Sequence, residues 1–208
     1  MIRKGLAFPP LALSRGFFMR LRSDGGIFLR CARKGLAALL LLAFAMTAFG
    51  AQKAELRPLK NPAPASAFML RDLDGKLTSL ADFEGKVVLL NFWATWCANC
   101  RNEMPAMERL YQSLRADGFE IVAISVDQVS SEKVKTFAEE LKLTFPVLHD
   151  RDSIISNLYS NPGVPVSYLI DRQGRIVYRV LGEYDWFSPE GRDTVKTLLR
   201  ESRKNNEG

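Results

Sequence analysis

The fold is restricted most by a short apolar run, VVLLNFW, over residues 87–93. A run of this length and composition is typical of a strand that is buried on both faces of a parallel or mixed sheet. Two cysteines, Cys97 and Cys100, come directly after it, and apolar residues then recur at helical spacing as far as Leu114. The segment therefore predicts a buried strand followed by a helix that begins at the cysteine pair.

The remaining segments continue an alternation of strands and helices. We predict a β-hairpin about the turn DLDGK and a helical turn in ADFEGK. Next we predict a buried strand in FEIVAISVD, a helix in SEKVKTFAEELK capped by Ser131, a short strand in FPVLHD and a short helix in SIISNLYS. Two antiparallel strands about DRQG and an amphipathic helix that starts at Ser188 and Pro189 complete the chain. This order supports an α/β fold with a central mixed β-sheet flanked by helices and an N-terminal β-hairpin.

The amino-terminal 50 residues have a different composition. Residues 1–34 contain eight Lys or Arg and one acid, a net charge of +7, whereas the whole chain carries +6. Because the remainder is close to neutral, nucleic-acid binding is not expected. The apolar stretch over residues 36–49, followed by small residues, has the order of a secretory signal, and it is shorter than the roughly 20 residues of a membrane span. We predict a cleaved signal peptide or an N-terminal membrane anchor over residues 1–50, and export to the periplasm.

Residues 51–66 are rich in Pro, Ala, Lys and Asn, with three prolines between Pro58 and Pro64. This composition predicts an extended linker or membrane tether. Residues 67–205 then form the folded domain, for which we expect a monomer.

The cysteine pair has three interpretations. A zinc site needs two more sulfur or imidazole ligands, and beyond the leader only His149 is available, so we predict no metal and no cofactor. A structural disulfide in so short a loop would constrain the unfolded chain little. A redox-active dithiol remains, since a lone CxxC pair in an oxidising compartment does not persist as idle thiols.

A dithiol at the start of a helix has a defined chemistry. Thiols react as thiolates, and a free cysteine has a pKa of roughly 8.5, so the anion needs stabilisation. The first turn of a helix supplies unpaired N–H groups and the positive end of the helix dipole. We expect Cys97 to be the exposed nucleophile that attacks a partner's disulfide, and the more buried Cys100 to resolve the mixed disulfide.

The segment FWATWCANC is similar to the active-site segment of the thioredoxin superfamily. The surrounding motifs, among them CRNEMPAMERL and GVPVSYLIDRQGRIVYRVLG, resemble the TlpA/ResA (DsbE-like) branch of exported or membrane-tethered thiol-disulfide oxidoreductases, over residues 68–199. The resemblance implies a thioredoxin-like fold over residues 67–205. It also implies that Cys97 and Cys100 form a redox-active disulfide that serves catalysis.

The resemblance implies further site residues. The Val164 to Pro165 bond would be a cis-proline loop that faces the cysteines, a form that is accessible only before proline. Val164 and Pro165, together with Trp96, would then contact substrate.

Glu103 matches an acidic residue of some ResA-like proteins. One turn beyond Cys100, it could exchange a proton with that thiol. A solvated helix carboxylate is the competing interpretation. Asn91 stands where thioredoxin has a buried aspartate, and because an amide cannot take a proton, an acid–base role would pass to Glu103.

The resemblance also implies partners: proteins with disulfides, apocytochrome c among them if the pathway is cytochrome c maturation, and a membrane electron donor of the DsbD or CcdA kind. The spacer residues Ala98 and Asn99 match neither thioredoxin nor the spacers common in this branch, so the redox potential does not transfer. Three rival functions remain: a peroxiredoxin-like peroxidase with Arg101 in its site, a copper-delivery protein of the SCO kind that uses His149, and a non-catalytic binding module.

Overall fold

A computed structural model describes residues 54–204 of the chain. The predicted leader, with its apolar stretch over residues 36–49, and residue 205 of the predicted domain lie outside the described residues. Over residues 54–204, no helix has the length and apolar character needed to cross a membrane.

Eight strands and four α-helices make up the described chain. The strands are β1 (Arg57–Pro64), β2 (Met69–Arg71), β3 (Leu77–Ser79), β4 (Val87–Trp93), β5 (Phe119–Ser125), β6 (Val147–His149), β7 (Val166–Ile170) and β8 (Arg175–Leu181). The helices are α1 (Ala98–Leu114), α2 (Ser131–Glu140), α3 (Ile154–Leu158) and α4 (Pro189–Lys204), with short 3-10 helices at Leu80–Phe83 and Arg115–Asp117.

Six of the strands form one mixed sheet in the order β1-β8-β7-β4-β5-β6, and β2 and β3 form a separate antiparallel hairpin. Strands β4, β5 and β6 run parallel, whereas β7 and β8 are antiparallel to their neighbours. The predicted α/β architecture, with its mixed sheet and N-terminal hairpin, is confirmed.

Strand β4 lies inside the sheet and all seven of its residues are buried. Its side chains alternate between two apolar cores, one on each face of the sheet: Leu89 and Trp93 belong to one core, Leu90 and Phe92 to the other. Each fully buried apolar side chain of this size stabilises the fold by roughly 1.5–3 kcal/mol. The sheet therefore holds β4 firmly, and with it the position at which the cysteine segment begins.

The structure differs from the predicted linker over residues 51–66. Arg57–Pro64 forms the edge strand β1, which pairs antiparallel with β8 and has an irregularity between Pro58 and Ala63. Prolines lack an N–H group, but an edge strand needs to pair on one side only, and a bulge accommodates the missing donors. Leu56, just before the strand, is buried in the core.

The start of α2 also differs slightly from the prediction. Ser130, rather than Ser131, is the residue that precedes the helix. Ser131 is the first helical residue, and its hydroxyl hydrogen-bonds to Nδ1 of His149 at 2.9 Å. The helix itself is where the sequence predicts it.

Candidate active site

The cysteine pair lies where β4 ends and α1 begins. Cys97 and Cys100 form a disulfide, with their Cα atoms 5.3 Å apart. Cys97 is the N-cap of α1, and its Sγ accepts a hydrogen bond from the Cys100 amide at 3.2 Å. Cys97 is 8% exposed and Cys100 is 0% exposed. Cys97 is the less buried of the two cysteines, as predicted, but it is not the exposed residue that the sequence predicts. The helix amides are placed to stabilise a thiolate there.

An exposed tryptophan precedes the disulfide, and a cis-proline lies at the same end of the sheet. Trp96, directly before Cys97, is 70% exposed, which is unusual for so large an apolar side chain. The Val164–Pro165 bond is cis, as predicted, and leads into β7 at the residue that pairs with Phe92, near the end of β4. The Pro165 carbonyl accepts a hydrogen bond from the Gly182 amide at 2.9 Å. The fold thus brings the cis-proline loop to the same end of the sheet as the cysteines.

Glu103 is a buried acid, only 2% exposed, one turn beyond Cys100. Its Oε1 accepts a hydrogen bond from Asn91 Nδ2 at 2.8 Å, and its Oε2 accepts one from the Tyr184 amide at 3.1 Å. Burial raises the pKa of Glu103 from 4.5 to about 8, against the lowering effect of these two hydrogen bonds, and nearby Glu183 adds to the rise. The interpretation of Glu103 as a solvated carboxylate is therefore wrong.

Asn91 joins Glu103 to the neighbouring strand. It is fully buried in β4, and its Nδ2 donates both to Glu103 Oε1 and, at 2.9 Å, to Ser167 Oγ in β7. The sequence indicated Asn91 and Glu103 but missed Ser167 and Tyr184, which come from segments 76 and 81 residues further along the chain than their partners. No local spacing reveals such contacts.

Arg101 and His149, the residues that the rival functions would use, make contacts with other parts of the protein. The Arg101 guanidinium lies 4.3 Å from the centre of the Phe137 ring and 3.8 Å from Glu140, so it is directed toward α2. His149 donates from Nε2 to the Asp127 carbonyl at 2.8 Å, and its Nδ1 faces Ser131. Within the part of the chain that the structure describes, no three His, Cys, Asp or Glu side chains are grouped to hold a metal ion.

A disulfide of CxxC spacing at the start of a helix, next to a cis-proline on the adjacent strand of a mixed sheet, defines a thioredoxin-like protein. The AhpC/TSA family model matches residues 60–179, more than half of the chain. Proteins named thiol-disulfide oxidoreductase ResA are similar. The one from Bacillus cereus is 42% identical over 119 residues, 57% of this chain and 68% of that protein. The one from Bacillus subtilis is 35% identical over 150 residues, 72% of this chain and 83% of that protein.

Solved structures agree with these relatives. A Chlorobium tepidum protein assigned as a thiol:disulfide interchange protein DsbE has a TM-score of 0.60 at 29% identity, covering 69% of this chain and 97% of that one. The thioredoxin domain of a Bacteroides vulgatus thiol-disulfide oxidoreductase has a TM-score of 0.60 at 31% identity, covering 68% and 99%. The chain belongs to the AhpC/TSA family and, within the thioredoxin superfamily, to the TlpA/ResA-like thiol-disulfide oxidoreductases.

Proposed function

We propose that the protein is an exported oxidoreductase that reduces, or exchanges, disulfides in partner proteins through Cys97 and Cys100. The observation that carries this proposal is the arrangement of the two sulfurs at the start of α1. Cys97, the less buried cysteine, directly follows the exposed Trp96, whereas Cys100 is fully buried one turn before the buried Glu103. An outer nucleophile and an inner resolving thiol are what two-step exchange requires.

The exchange proceeds through a mixed disulfide. In the reduced protein the Cys97 thiolate attacks one sulfur of the partner's disulfide and displaces the other as a thiolate. Cys100 then loses its proton and attacks Cys97 Sγ, which releases the second partner thiolate and leaves Cys97 and Cys100 as a disulfide. Two electrons pass to the partner, and its two sulfurs take up protons.

Glu103 is the proposed proton partner of Cys100 in the resolving step. Its pKa of about 8 lies nearer to that of a thiol than the pKa of an ordinary carboxyl group does, so its ionised form is the better base toward Cys100 and its protonated form can return the proton. An ordinary carboxyl group with a pKa near 4 would be a much weaker base toward a thiol.

The substrate is proposed to lie against Trp96 and the cis-proline loop. Pro165 has no N–H group, so the strand pairing of β7 cannot continue through it. We expect this to leave the backbone of Val164 free to pair with an extended segment of the partner. An exposed tryptophan beside the disulfide provides apolar contact area of the kind that dominates protein interfaces.

The direction of electron flow is proposed to be toward the substrate. In the periplasm a reductase must itself be re-reduced, and a membrane electron donor of the DsbD or CcdA kind would supply the two electrons. The similarity to ResA and DsbE proteins supports this branch of the family, and cytochrome c maturation, with apocytochrome c as substrate, is the proposed pathway.

Trapping of partners tests the protein-substrate claim. A Cys100→Ala variant retains the attacking sulfur but cannot resolve the mixed disulfide, so exported partners should accumulate on Cys97 and be released by reductant. A variant with both cysteines replaced by alanine is the matched control and should trap nothing. Capture of small thiols alone by the Cys100→Ala variant would contradict the proposal.

A further inference from the structure

A second buried carboxyl group lies beside the cysteine segment and has no part in the exchange described above. Asp127 follows β5 and is 0% exposed. Its Oδ2 accepts hydrogen bonds from the Thr95 amide at 2.9 Å and from Ser125 Oγ at 2.8 Å, and its Oδ1 accepts one from Thr95 Oγ1 at 2.7 Å. Over residues 54–204, no ion pair joins Asp127 to a Lys or Arg.

Thr95 belongs to the turn that ends at Cys97. The Cys97 amide donates to the Ala94 carbonyl at 3.1 Å, so residues 94–97 form a β-turn with Thr95 and Trp96 at its centre. Asp127 binds Thr95 through both the backbone amide and the side-chain hydroxyl. A change in the position of Asp127 would therefore move the turn whose last residue is the N-cap of α1.

Asp127 is itself held from two sides. Its amide donates to Ser125 Oγ at 3.2 Å, and its carbonyl accepts a hydrogen bond from His149 Nε2 at 2.8 Å, at the end of β6. Close by, the Val126 amide donates to the Trp93 carbonyl at 2.9 Å. Burial of a carboxyl group without a cation disfavours folding unless hydrogen bonds compensate, and here those bonds run to β5 and to the cysteine turn.

We propose that Asp127 is a positioning residue for disulfide exchange: it fixes the turn of residues 94–97, so that Cys97 Sγ faces the first amides of α1 and Trp96 stays on the surface beside it. This inference rests on the proposed function, because it concerns the rate at which Cys97 attacks a disulfide. Such rates are sensitive to placement, and a displacement of about 1 Å costs up to about 100-fold.

The test compares two substitutions at Asp127 in otherwise unchanged protein. Asp127→Asn keeps the arrangement, because its amide oxygen accepts from the Thr95 amide and Ser125, and its NH2 group donates to the Thr95 hydroxyl. Asp127→Ala removes all three hydrogen bonds. The measurement is the second-order rate constant of the reduced protein with 5,5′-dithiobis(2-nitrobenzoate), taken at pH values where the attacking thiol is fully ionised. We expect Asp127→Asn to stay within about twofold of wild type and Asp127→Ala to be about tenfold slower.

Asp171→Ala is the matched control for loss of stability. Asp171 is also buried and accepts hydrogen bonds from Gln173 and Arg175, but it follows β7 beside the start of β4, at the opposite end of that strand from the cysteines. It should lose stability and keep the wild-type rate.

Thr95→Val carries the test if Asp127→Ala does not fold. It removes only the hydroxyl hydrogen bond, and we expect a rate about threefold below wild type. Wild-type rates in both Asp127→Ala and Thr95→Val would overturn the proposal. Equal slowing in Asp127→Asn and Asp127→Ala would also overturn it, because the effect would then come from the charge of Asp127 and not from its hydrogen bonds. A wild-type protein that reacts no faster than Cys97→Ala would instead contradict the proposed function.

Discussion

Glu103 shows how its surroundings change the chemistry of a single side chain. An exposed carboxyl group at the third helical position after Cys100 would be ionised at neutral pH. Burial instead raises the pKa of Glu103 to about 8, so most of the molecules carry a proton there at pH 7. The sequence could indicate the residue, but its buried position involves Asn91 in β4 and Tyr184 in the loop after β8, which are distant along the chain.

Substitution of Glu103 by Gln should change how stability depends on pH. Because Glu103 keeps its proton up to about pH 8 in the folded state and loses it near pH 4.5 in the unfolded state, its contribution to stability is fully present below pH 4.5 and is lost as the pH rises to about 8. The slope approaches about 1.4 kcal/mol per pH unit within that window. Glu103→Gln should remove this slope. Urea unfolding of the oxidised protein at several pH values measures it, and an equal slope in wild type and variant would contradict the assignment.

Substitution of Asn91 by Asp should raise the pKa of Glu103 further. The change exchanges a hydrogen-bond donor for a second carboxyl group, and a like charge disfavours ionisation. We expect a destabilisation of about 1–3 kcal/mol at pH 7, since buried donors and acceptors lose their matching partners.

Carboxyl-carbon NMR titration of the oxidised protein measures the pKa of Glu103 in the Asn91→Asp variant. Ser167→Ala is the control, because it removes the other acceptor of the Asn91 amide without touching Glu103. A lowered pKa of Glu103 in the Asn91→Asp variant would contradict the hydrogen bond between Asn91 and Glu103.

At the scale of elements, local pattern predicts β4 and α1 with the bounds that the structure has, Val87–Trp93 and Ala98–Leu114. Strand β4 follows from a continuous apolar run, since it is covered on both faces, and α1 follows from the helical spacing of its apolar residues, since it is covered on one face. Strand β1 was missed because its evidence is not local. Among residues 54–204 its one partner strand is β8, more than 100 residues away, and its prolines are the residues that disfavour a strand.

Leu56→Ala tests the place of β1 in the fold. Leu56 is 8% exposed and packs in the core, so we expect a loss of about 2 kcal/mol in the free energy of unfolding. Lys60→Ala, at an exposed position of the same strand, is the control and should stay within about 0.5 kcal/mol of wild type. If the segment were a linker, chemical denaturation would show the two variants to be equally stable.

At the scale of the whole molecule, the fold gathers residues from four segments at one end of the sheet: the cysteine turn, the cis-proline loop, and the connections after β5 and β8. The sequence predicts the first two, because CxxC and the proline are recognisable without a structure. Asp127 and Tyr184 contribute through a carboxylate and a backbone amide respectively, and neither carries a distinctive local signal.

The arrangement of the whole site favours disulfide exchange over peroxide reduction. Arg101 is directed toward Phe137 and Glu140, and the two sulfurs pair with each other within one turn of helix. We expect the reduced protein to consume hydrogen peroxide at a negligible rate compared with its rate of disulfide exchange. A peroxide electrode measures it, with the variant that lacks both cysteines as the blank, and fast cysteine-dependent consumption would favour the peroxidase.

Intact-mass analysis of the reduced protein mixed with insulin, a protein that contains disulfides, tests the central claim most directly. The account predicts that wild type reduces insulin and becomes two hydrogens lighter, that Cys100→Ala stops as a mixed disulfide with insulin, and that Cys97→Ala forms little adduct. Adducts of equal yield on Cys97→Ala and Cys100→Ala, or intact insulin after incubation with the reduced wild type, would contradict it.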